Sequence, residues 1–310
     1  MAGLILQHLT YLAALARERH FGRAAEACHV AQATVSEAIR RLEDELGVQL
    51  VRRGHSFQGL TAEGEQVLGW AHRILADCDG LRADVAVMRG DVSGQLRLGA
   101  IPTSLPVVSL LTRPLREGYP ELRVSIRSLS SREIERSLHE SELDAGLTYL
   151  DNEPLRGVRS APVYDERYVF LAPNDSEWAV AGEVAWRAAA EAPLCLLSTE
   201  MQNRRIVDRA FADAGATPQP VIETNSISTL HAQVRDARLC AVVADTWLHG
   251  FDVPAGMSAL PLVEPVAHQT VGIVWRDRDP EPALVRGLVA VAEGAREQIE
   301  RVRAEHDEGR

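Results

Sequence analysis

The chain has 310 residues, of which 46% are hydrophobic, and its net charge is −11. That length and apolar content suit about two domains with substantial cores. No run of about 18 apolar residues occurs, which excludes a membrane-spanning helix, and the N-terminal segment lacks the basic start of a signal peptide. We therefore predict a soluble, cytoplasmic protein that does not associate with membranes.

The charge is unevenly distributed along the chain. Residues 1–60 contain seven Arg and six acidic residues, a balance of +1, which leaves −12 for the remainder. A small DNA-binding module attached to an acidic body would produce this asymmetry.

The cysteines show no metal-binding or disulfide pattern. They are far apart in the sequence and form no Cys-x-x-Cys pair, which argues against a zinc site and a disulfide framework. We expect no metal and no cofactor, and we interpret the four thiols as buried small residues: Cys28, Cys78, Cys195 and Cys240.

Three short helices are predicted near the N-terminus. Apolar residues recur at three- and four-residue spacings over 4–18, small residues mark a helix over 22–28, and a third helix over 32–46 ends at Gly47. A tight turn between the second and third helices is the helix-turn-helix arrangement. The polar, Gly-containing residues between Leu50 and Leu60 predict a hairpin wing.

A long helix is predicted after the wing, over residues 61–90. Its apolar residues recur at alternating spacings of four and three, which is a heptad seam. The simplest interpretation is a dimerising linker helix, and the alternative is a helix packed on its own chain. The seam consists of Val67, Ala71, Ile74, Cys78, Leu81, Val85 and Met88.

Beyond residue 91 the pattern changes to short strands that alternate with helices, which predicts a parallel sheet covered by helices. The predicted strands are 96–101, 122–128, 143–149, 168–173, 194–198, 220–224, 239–244 and 270–275. The predicted helices are 104–117, 131–140, 202–213, 226–236 and 280–304.

Residues 21–53 closely resemble the DNA-binding segment of LysR-type transcriptional regulators. The matching residues, with the family's spacing, are Phe21, Ala24, Ala25, Val30, Gln32, Ser36, Ile39, Leu42, Glu43, Leu46, Gly47, Leu50 and Arg53. Departures from the family pattern are Cys28, Ala31, Ala33 and Val51. Because Ala31 replaces a Ser or Thr helix cap, packing must hold the third helix instead.

The candidate DNA-binding residues lie on the third helix and the wing. The first residues of such a helix reach base edges in the major groove, where Gln32 could contact adenine and Ala33 a thymine methyl group. Basic residues of the wing suit phosphates. The full set is Gln32, Ala33, Thr34, Ser36, Glu37, Arg40, Arg52, Arg53 and His55.

The C-terminal 220 residues resemble the effector domain of the same family, with LRLGAIPTSLP and LDAGLTY as the clearest matches. The resemblance implies an α+β multidomain protein: a winged helix-turn-helix (1–60), a linker helix (61–90) and a periplasmic-binding-protein-like effector domain (91–310). Subdomain I would comprise 91–163 and 268–305, and subdomain II 168–263.

Polar residues at strand ends and helix starts predict an effector site in the cleft between the subdomains. They suit a small anion such as a short carboxylate, down to the size of formate, for which Arg204 could supply a charge. The candidates are Thr103, Ser104, Ser130, Ser131, Tyr149, Gln202, Asn203, Asn225 and Ser226. The alternative is that the serines are only helix caps.

The sequence thus predicts a homodimeric or homotetrameric regulator that binds double-stranded promoter DNA and a small-molecule effector. The family resemblance adds an activator role and RNA polymerase as a partner. A redox sensor that uses Cys195 and Cys240 is an alternative. An enzyme is a further alternative, but no phosphate loop, nucleophile elbow or other catalytic residues are recognisable.

Overall fold

The computed structural model describes residues 6–52, 57–88, 94–153 and 155–308. The chain forms two compact units. The first comprises Met1–Asp91 with His139–Glu142, and the second comprises Val92–Leu138 with Leu143–Arg310.

The first unit is helical, and its helices confirm those predicted from the sequence. They are α1 (Leu6–Glu18), α2 (Phe21–Ala27), α3 (Gln32–Leu46) and α4 (Ala62–Met88). Helix α3 ends at Gly47, whose φ of 71° is left-handed, as glycine permits. Leu12, Leu15 and Leu42 are fully buried in the shared core.

Hydrogen bonds between backbone N–H groups and a buried side chain connect the start of the wing to the helices. Val51 and Leu60 form an antiparallel bridge at its base, and residues 53–56 lie outside the described residues. The buried carboxylate of Glu43 on α3 accepts hydrogen bonds from the backbone N–H groups of Leu50 (2.9 Å) and Val51 (3.2 Å). This side chain therefore joins α3 to the start of the wing.

The start of α4 packs closely against the same wing strand. Thr61 Oγ1 donates to the carbonyl of Gln49 (2.6 Å) and accepts from the N–H of Gly64 (2.9 Å). A Cβ on Gly64 would lie 2.1 Å from the Leu50 carbonyl oxygen. Only glycine permits this approach of helix and strand.

The solvent exposure of the heptad seam increases along α4. Its first part packs on the domain core, where Ala71 is buried and Val67 and Ile74 are partly buried. In its second part Leu81 and Met88 are 65% and 83% exposed. Packing on the same chain therefore accounts for the first half of the seam only.

The second unit alternates strands and helices. Its strands are β1 (Gly94–Ala100), β2 (Leu122–Ser128), β3 (Ala145–Tyr149), β4 (Val158–Pro173), β5 (Val184–Ala185), β6 (Cys195–Leu197), β7 (Ile222–Thr224), β8 (Ala241–Ala244), β9 (Met257–Val263) and β10 (His268–Arg276). Its helices are the 3-10 helix Pro102–Val107, α5 (Val108–Gly118), α6 (Ser131–His139), α7 (Glu177–Ala181), α8 (Trp186–Ala189), α9 (Gln202–Asp213), α10 (Ile227–Asp236), α11 (Trp247–Gly250), α12 (Ala283–Ala290) and α13 (Ala292–Glu308).

The strands of this unit form two pairing groups. In the first, the order is β2-β1-β3-β10-β4, in which β1 is parallel to β2 and β3, and β10 is antiparallel to β3 and β4. In the second, β4 pairs with β8 and β9, and β9 pairs with β5. Strands β6 and β7 form a separate parallel pair.

Strand β4 belongs to both groups. Its residues 158–167 pair with β10, and its residues 168–173 pair with β8 and β9. The sequence predicts a strand only over 168–173, whereas β4 already begins at Val158.

The structure also corrects other predictions. The sheet expected to be parallel is mixed, because β10 is antiparallel to β3 and β4, and the helix expected over 280–304 is two helices, α12 and α13. The elements that were not predicted from the sequence are β5, β9, α7, α8 and α11.

Candidate functional site

The start of α3 presents its side chains to solvent. Gln32, Ala33 and Thr34 are exposed, and Ser36 is half-buried. Ala31 precedes the helix and makes no capping hydrogen bond through its side chain. The N–H of Thr34 donates to the Ala31 carbonyl (3.0 Å), and the N–H groups before it lack a side-chain cap from Ala31.

The other candidates of this surface are charged. Arg40 and Arg52 are exposed. The carboxylate of Glu37 accepts from Arg41 Nε at 3.0 Å, one helical turn away on the solvent side, so this acid is already paired rather than directed at a base. Arg53 and His55 lie outside the described residues.

Six of the nine effector candidates line one small pocket in the second unit. They come from four places in the chain, namely the 3-10 helix, the start of α6, the end of β3 and the start of α9. The pocket has a volume of about 10 Å³, room for one water-sized molecule. These residues are Thr103, Ser130, Ser131, Tyr149, Gln202 and Asn203.

A second cavity of about the same volume adjoins this pocket. It shares Thr103 and Asn203 with the pocket, and its other lining residues are apolar side chains such as Leu230, Val243 and Trp247, apart from backbone polar groups. The two cavities together offer a polar compartment and an apolar one.

The hydroxyl of Tyr149 is the centre of a buried hydrogen-bond network. It donates to Glu166 Oε1 (2.6 Å), accepts from Asn203 Nδ2 (2.9 Å) and lies 3.1 Å from Thr103 Oγ1. Glu166 is fully buried, and its Oε2 has no hydrogen-bond partner among the described residues. The network joins β3, β4, α9 and the 3-10 helix.

Burial dominates the electrostatics of this network. Desolvation raises the pKa of Glu166 to about 7, although the hydrogen bond from Tyr149 opposes the shift. Desolvation and the neighbouring Glu166 also raise the pKa of Tyr149 well above its ordinary value. Sequence reasoning missed Glu166, although the period-two sequence Tyr164, Glu166, Tyr168 on one strand face was an available signal.

Three effector candidates do not line the pocket. Ser104 Oγ lies 3.0 Å from the hydroxyl of Tyr164. Ser226 caps α10 by accepting from the N–H of Thr229 (3.3 Å), and Asn225 is exposed. The helix-cap alternative therefore describes Ser226 as the structure places it.

The arginines of α9 are engaged elsewhere. Arg204 is 7% exposed, donates to Asp208 (2.8 Å) and pairs with Glu223, which corrects its suggested role as a charge for the effector. Arg205 pairs with Glu153 (2.7 Å). Among the described residues, none of those that line the pocket is charged.

Two cysteines lie on adjacent segments of the second unit, but their side chains diverge. Cys240 is paired in parallel register with Leu194, so Cys195 points to the opposite face. Both are fully buried, and desolvation raises the pKa of each thiol to about 11. The raised pKa opposes formation of the nucleophilic thiolate at either cysteine.

Neither a metal-binding cluster nor a membrane-spanning helix is found among the described residues. Within the described ranges, no three His, Cys, Asp or Glu side chains are placed to hold a metal ion. None of the helices described is long and apolar enough to cross a membrane.

Comparisons with known proteins identify both parts of the chain. Residues 6–65 match the model of the bacterial regulatory helix-turn-helix protein, lysR family, and residues 89–296 match the LysR substrate binding domain. The DNA-binding transcriptional dual regulator OxyR of Escherichia coli is 30% identical over 285 residues, which cover 89% of this chain and 90% of that protein. The hydrogen peroxide-inducible genes activator of Haemophilus influenzae is 24% identical over 277 residues, 89% of this chain and 91% of that protein.

Solved structures show the same relationship. A full-length OxyR variant from Pseudomonas aeruginosa has a TM-score of 0.76 and 29% identity, and covers 94% of this chain and 98% of its own. CbnR, a LysR family transcriptional regulator, shares the fold with a TM-score of 0.69 at 19% identity, over 94% of this chain and 99% of its own. The chain therefore belongs to the LysR family of DNA-binding transcriptional regulators, which are not enzymes.

Proposed function

We propose that this regulator reads promoter DNA with the start of α3 and is controlled by a small molecule bound reversibly in the polar pocket around Tyr149. The observation that carries the effector site is the convergence of six polar residues from distant parts of the chain on one buried pocket. Buried polar groups that face a cavity are costly unless a partner satisfies them, so the arrangement favours a ligand.

The DNA interface is supported by exposure and by a first turn of α3 that has no side-chain cap from Ala31. Gln32 and Thr34 are exposed where a recognition helix meets base edges, while Arg40 and Arg52 suit phosphates. In this proposal Ala33 and Ser36 complete the contact surface. Arg53 and His55 extend it along the wing.

The experiment is a binding titration of the purified full-length chain with DNA upstream of its own gene and with random duplex, over a salt series. We expect Gln32→Ala to lose about 1–3 kcal/mol of discrimination between the two DNAs. Arg52→Ala should weaken binding to both DNAs. It should also reduce the slope of log affinity against log salt concentration by about one.

The matched control is Gln49→Ala, which removes an exposed glutamine of the same domain away from α3 and should leave both affinities unchanged. Equal loss of preference in Gln32→Ala and Gln49→Ala would contradict the assignment of base reading to α3. A wild-type chain that binds both duplexes equally at every salt concentration would contradict the proposed promoter specificity.

Dimerisation through α4 is supported by the exposure of Leu81, Val85 and Met88 on one chain, because a partner helix would cover them. Sedimentation of Leu81→Glu/Val85→Glu should show dissociation relative to wild type. The control Arg82→Glu changes charge at an exposed position between them and should keep the assembly. An unchanged mass for the double variant would refute this interface. Pairing of dimers to a tetramer and contact with RNA polymerase remain family-based proposals.

A thiol-based sensor is the second candidate, because relatives of this chain are named hydrogen peroxide-inducible genes activators. The buried, protonated thiols of Cys195 and Cys240 favour reversible binding instead. DNA binding is to be measured with and without hydrogen peroxide for wild type and Cys195→Ser/Cys240→Ser. A peroxide response that the double variant abolishes would establish the second candidate.

A further inference from the structure

The pocket contains an acceptor that none of the described residues satisfies. Gln202 is 4% exposed, and its Nε2 donates to the backbone carbonyl of Asp151 at 3.4 Å, whereas its Oε1 is buried without a partner. A reversed amide would place two carbonyl oxygens together, so the oxygen is the free end. A ligand that donates a hydrogen bond would satisfy it.

The hydroxyl groups of the pocket differ in whether their hydrogen is already donated to a neighbour. Thr148 donates to Ser131 Oγ at 2.9 Å, so the hydrogen of the 3% exposed Ser131 remains available. The hydroxyl of Ser130 already donates to Glu133 (2.8 Å), and that of Tyr149 donates to Glu166. The pocket can therefore give a ligand a hydrogen bond from Ser131.

The start of α9 also borders the pocket, with Gln202 as its first residue. Met201 precedes the helix and provides no side-chain cap, so the first N–H groups of α9 lack that acceptor. The pocket thus offers an acceptor at Gln202 Oε1 and a donor at Ser131, and a ligand that uses both must donate one hydrogen bond and accept another.

The charge of a ligand decides whether it can meet these two requirements. The residues that line the pocket are uncharged, and the nearest arginines of α9 are paired with carboxylates. The carboxyl group of Glu166 contacts Tyr149, which lines the pocket. A carboxylate ligand would have no hydrogen for Gln202 Oε1 and would find a buried acid in place of a cation.

We propose that the pocket selects a small uncharged ligand that donates a hydrogen bond to Gln202 Oε1 and accepts one from Ser131, and that it discriminates against carboxylates. This inference rests on the proposed function, because it assumes that this pocket holds the effector. It replaces the small anion expected from the sequence with an uncharged molecule of amide or hydroxyl type.

Acetamide and acetate form a matched pair of probes, because they have the same shape and differ in charge and in the donor. Each is larger than the single water-sized molecule that the pocket holds as it stands, so the cost of widening the pocket is the same for both and cancels in the ratio of their dissociation constants. Dissociation constants of both are to be measured by ligand-observed NMR on the full-length protein. We expect acetamide to bind at least about tenfold more tightly than acetate, the factor for a hydrogen bond that leaves a buried partner unpaired. Gln202→Leu should weaken acetamide binding by about the same factor.

Two further variants control for loss of folding and for the position of the substitution. Gln202→Met keeps the length of the side chain without the acceptor and should weaken acetamide binding as Gln202→Leu does, which guards against a Gln202→Leu variant that fails to fold. Gln219→Leu makes the same substitution at an exposed glutamine outside the pocket and should leave both constants unchanged.

Each contrary result has a distinct meaning. Tighter binding of acetate that Gln202→Leu abolishes would overturn the uncharged ligand class but uphold the pocket as the effector site. Acetamide binding that Gln202→Leu leaves intact, or no saturable binding of either probe, would overturn the inference. The DNA titration is independent of these probes, so a failed promoter preference would be recognised separately.

Discussion

Glu43 and Glu166 are buried carboxylates in the two units of the chain, and their surroundings differ. Glu43 accepts from two backbone N–H groups of the adjoining wing strand. Glu166 is contacted by side chains, chiefly the hydroxyl of Tyr149, and one of its oxygens has no partner among the described residues. Glu43 is held by backbone N–H groups, which cannot move without unfolding of the strand. Glu166 is held by side chains, which can rotate.

The difference matches the function proposed for each unit. In that proposal the DNA-reading helix stays in place on its domain, as the backbone contacts to Glu43 and the close approach at Gly64 would ensure. The proposed effector pocket responds to occupancy, and a side-chain network with an unsatisfied member can rearrange to meet a ligand. Three predictions test this contrast.

The largest expected effect concerns the pH dependence of stability. Burial raises the pKa of Glu166 from 4.5 to about 7, so the fold favours the protonated acid. Its contribution is complete below pH 4.5 and is lost as the pH rises through about 7, a change of about 3 kcal/mol in the free energy of unfolding. Glu166→Gln should remove this slope when unfolding is measured from pH 4 to pH 8.

The control is Glu183→Gln, which makes the same change at an exposed position of the same unit and should keep the wild-type slope. If wild type and Glu166→Gln lose stability in parallel over that pH range, Glu166 is not the group that titrates.

The second prediction compares two glycines of α4. In Gly64→Ala, the new methyl group would meet the Leu50 carbonyl at 2.1 Å, and we expect a loss of roughly 3 kcal/mol, with weaker DNA binding. In Gly69→Ala, nothing lies within 4 Å of the new Cβ, and the helix should gain about 0.5–1 kcal/mol.

Hydrogen exchange of peptides from α1 to α3 measures both effects within the DNA-binding unit. Similar protection in the Gly64→Ala and Gly69→Ala variants would show that the contact between α4 and the wing strand is less tight than described.

The smallest effect is expected at the start of α2. His20 Nδ1 accepts from the N–H groups of Gly22 (3.1 Å) and Arg23 (3.3 Å) and so caps this helix. His20→Ala should cost about 1 kcal/mol, whereas His20→Asn supplies another capping acceptor and should cost less. Urea unfolding followed at Trp70, the tryptophan nearest to these helices in sequence, can rank the three proteins, and equal stability of the two variants would contradict the cap.

The helices of the first unit were predictable from the sequence because their determinants are local. Apolar spacing sets α1 and α3, and Gly47 ends α3. Sequence also marked Ser131 and Gln202, since each opens a helix after a strand.

The remaining features depend on contacts between distant residues. Glu166 shares a strand face with Tyr164 and Tyr168, but only the pairing of β4 with β10 and the contact with Tyr149 show that this face is buried. Likewise, Arg204 reads as a surface residue until Asp208 and Glu223 are found beside it. Local patterns carry no information about such neighbours.

Strand β4 has a consequence for how this family can change its specificity. Arg167 on β4 and His268 on β10 are directly paired, so residues 168–267 leave and return at adjacent points of one antiparallel ladder. A short turn could in principle close that ladder. Residues 168–267 are therefore inserted at one point of the ladder, and an exchange of this segment between regulators would have to retain Asn203, whose side chain donates a hydrogen bond to Tyr149 of the receiving strands.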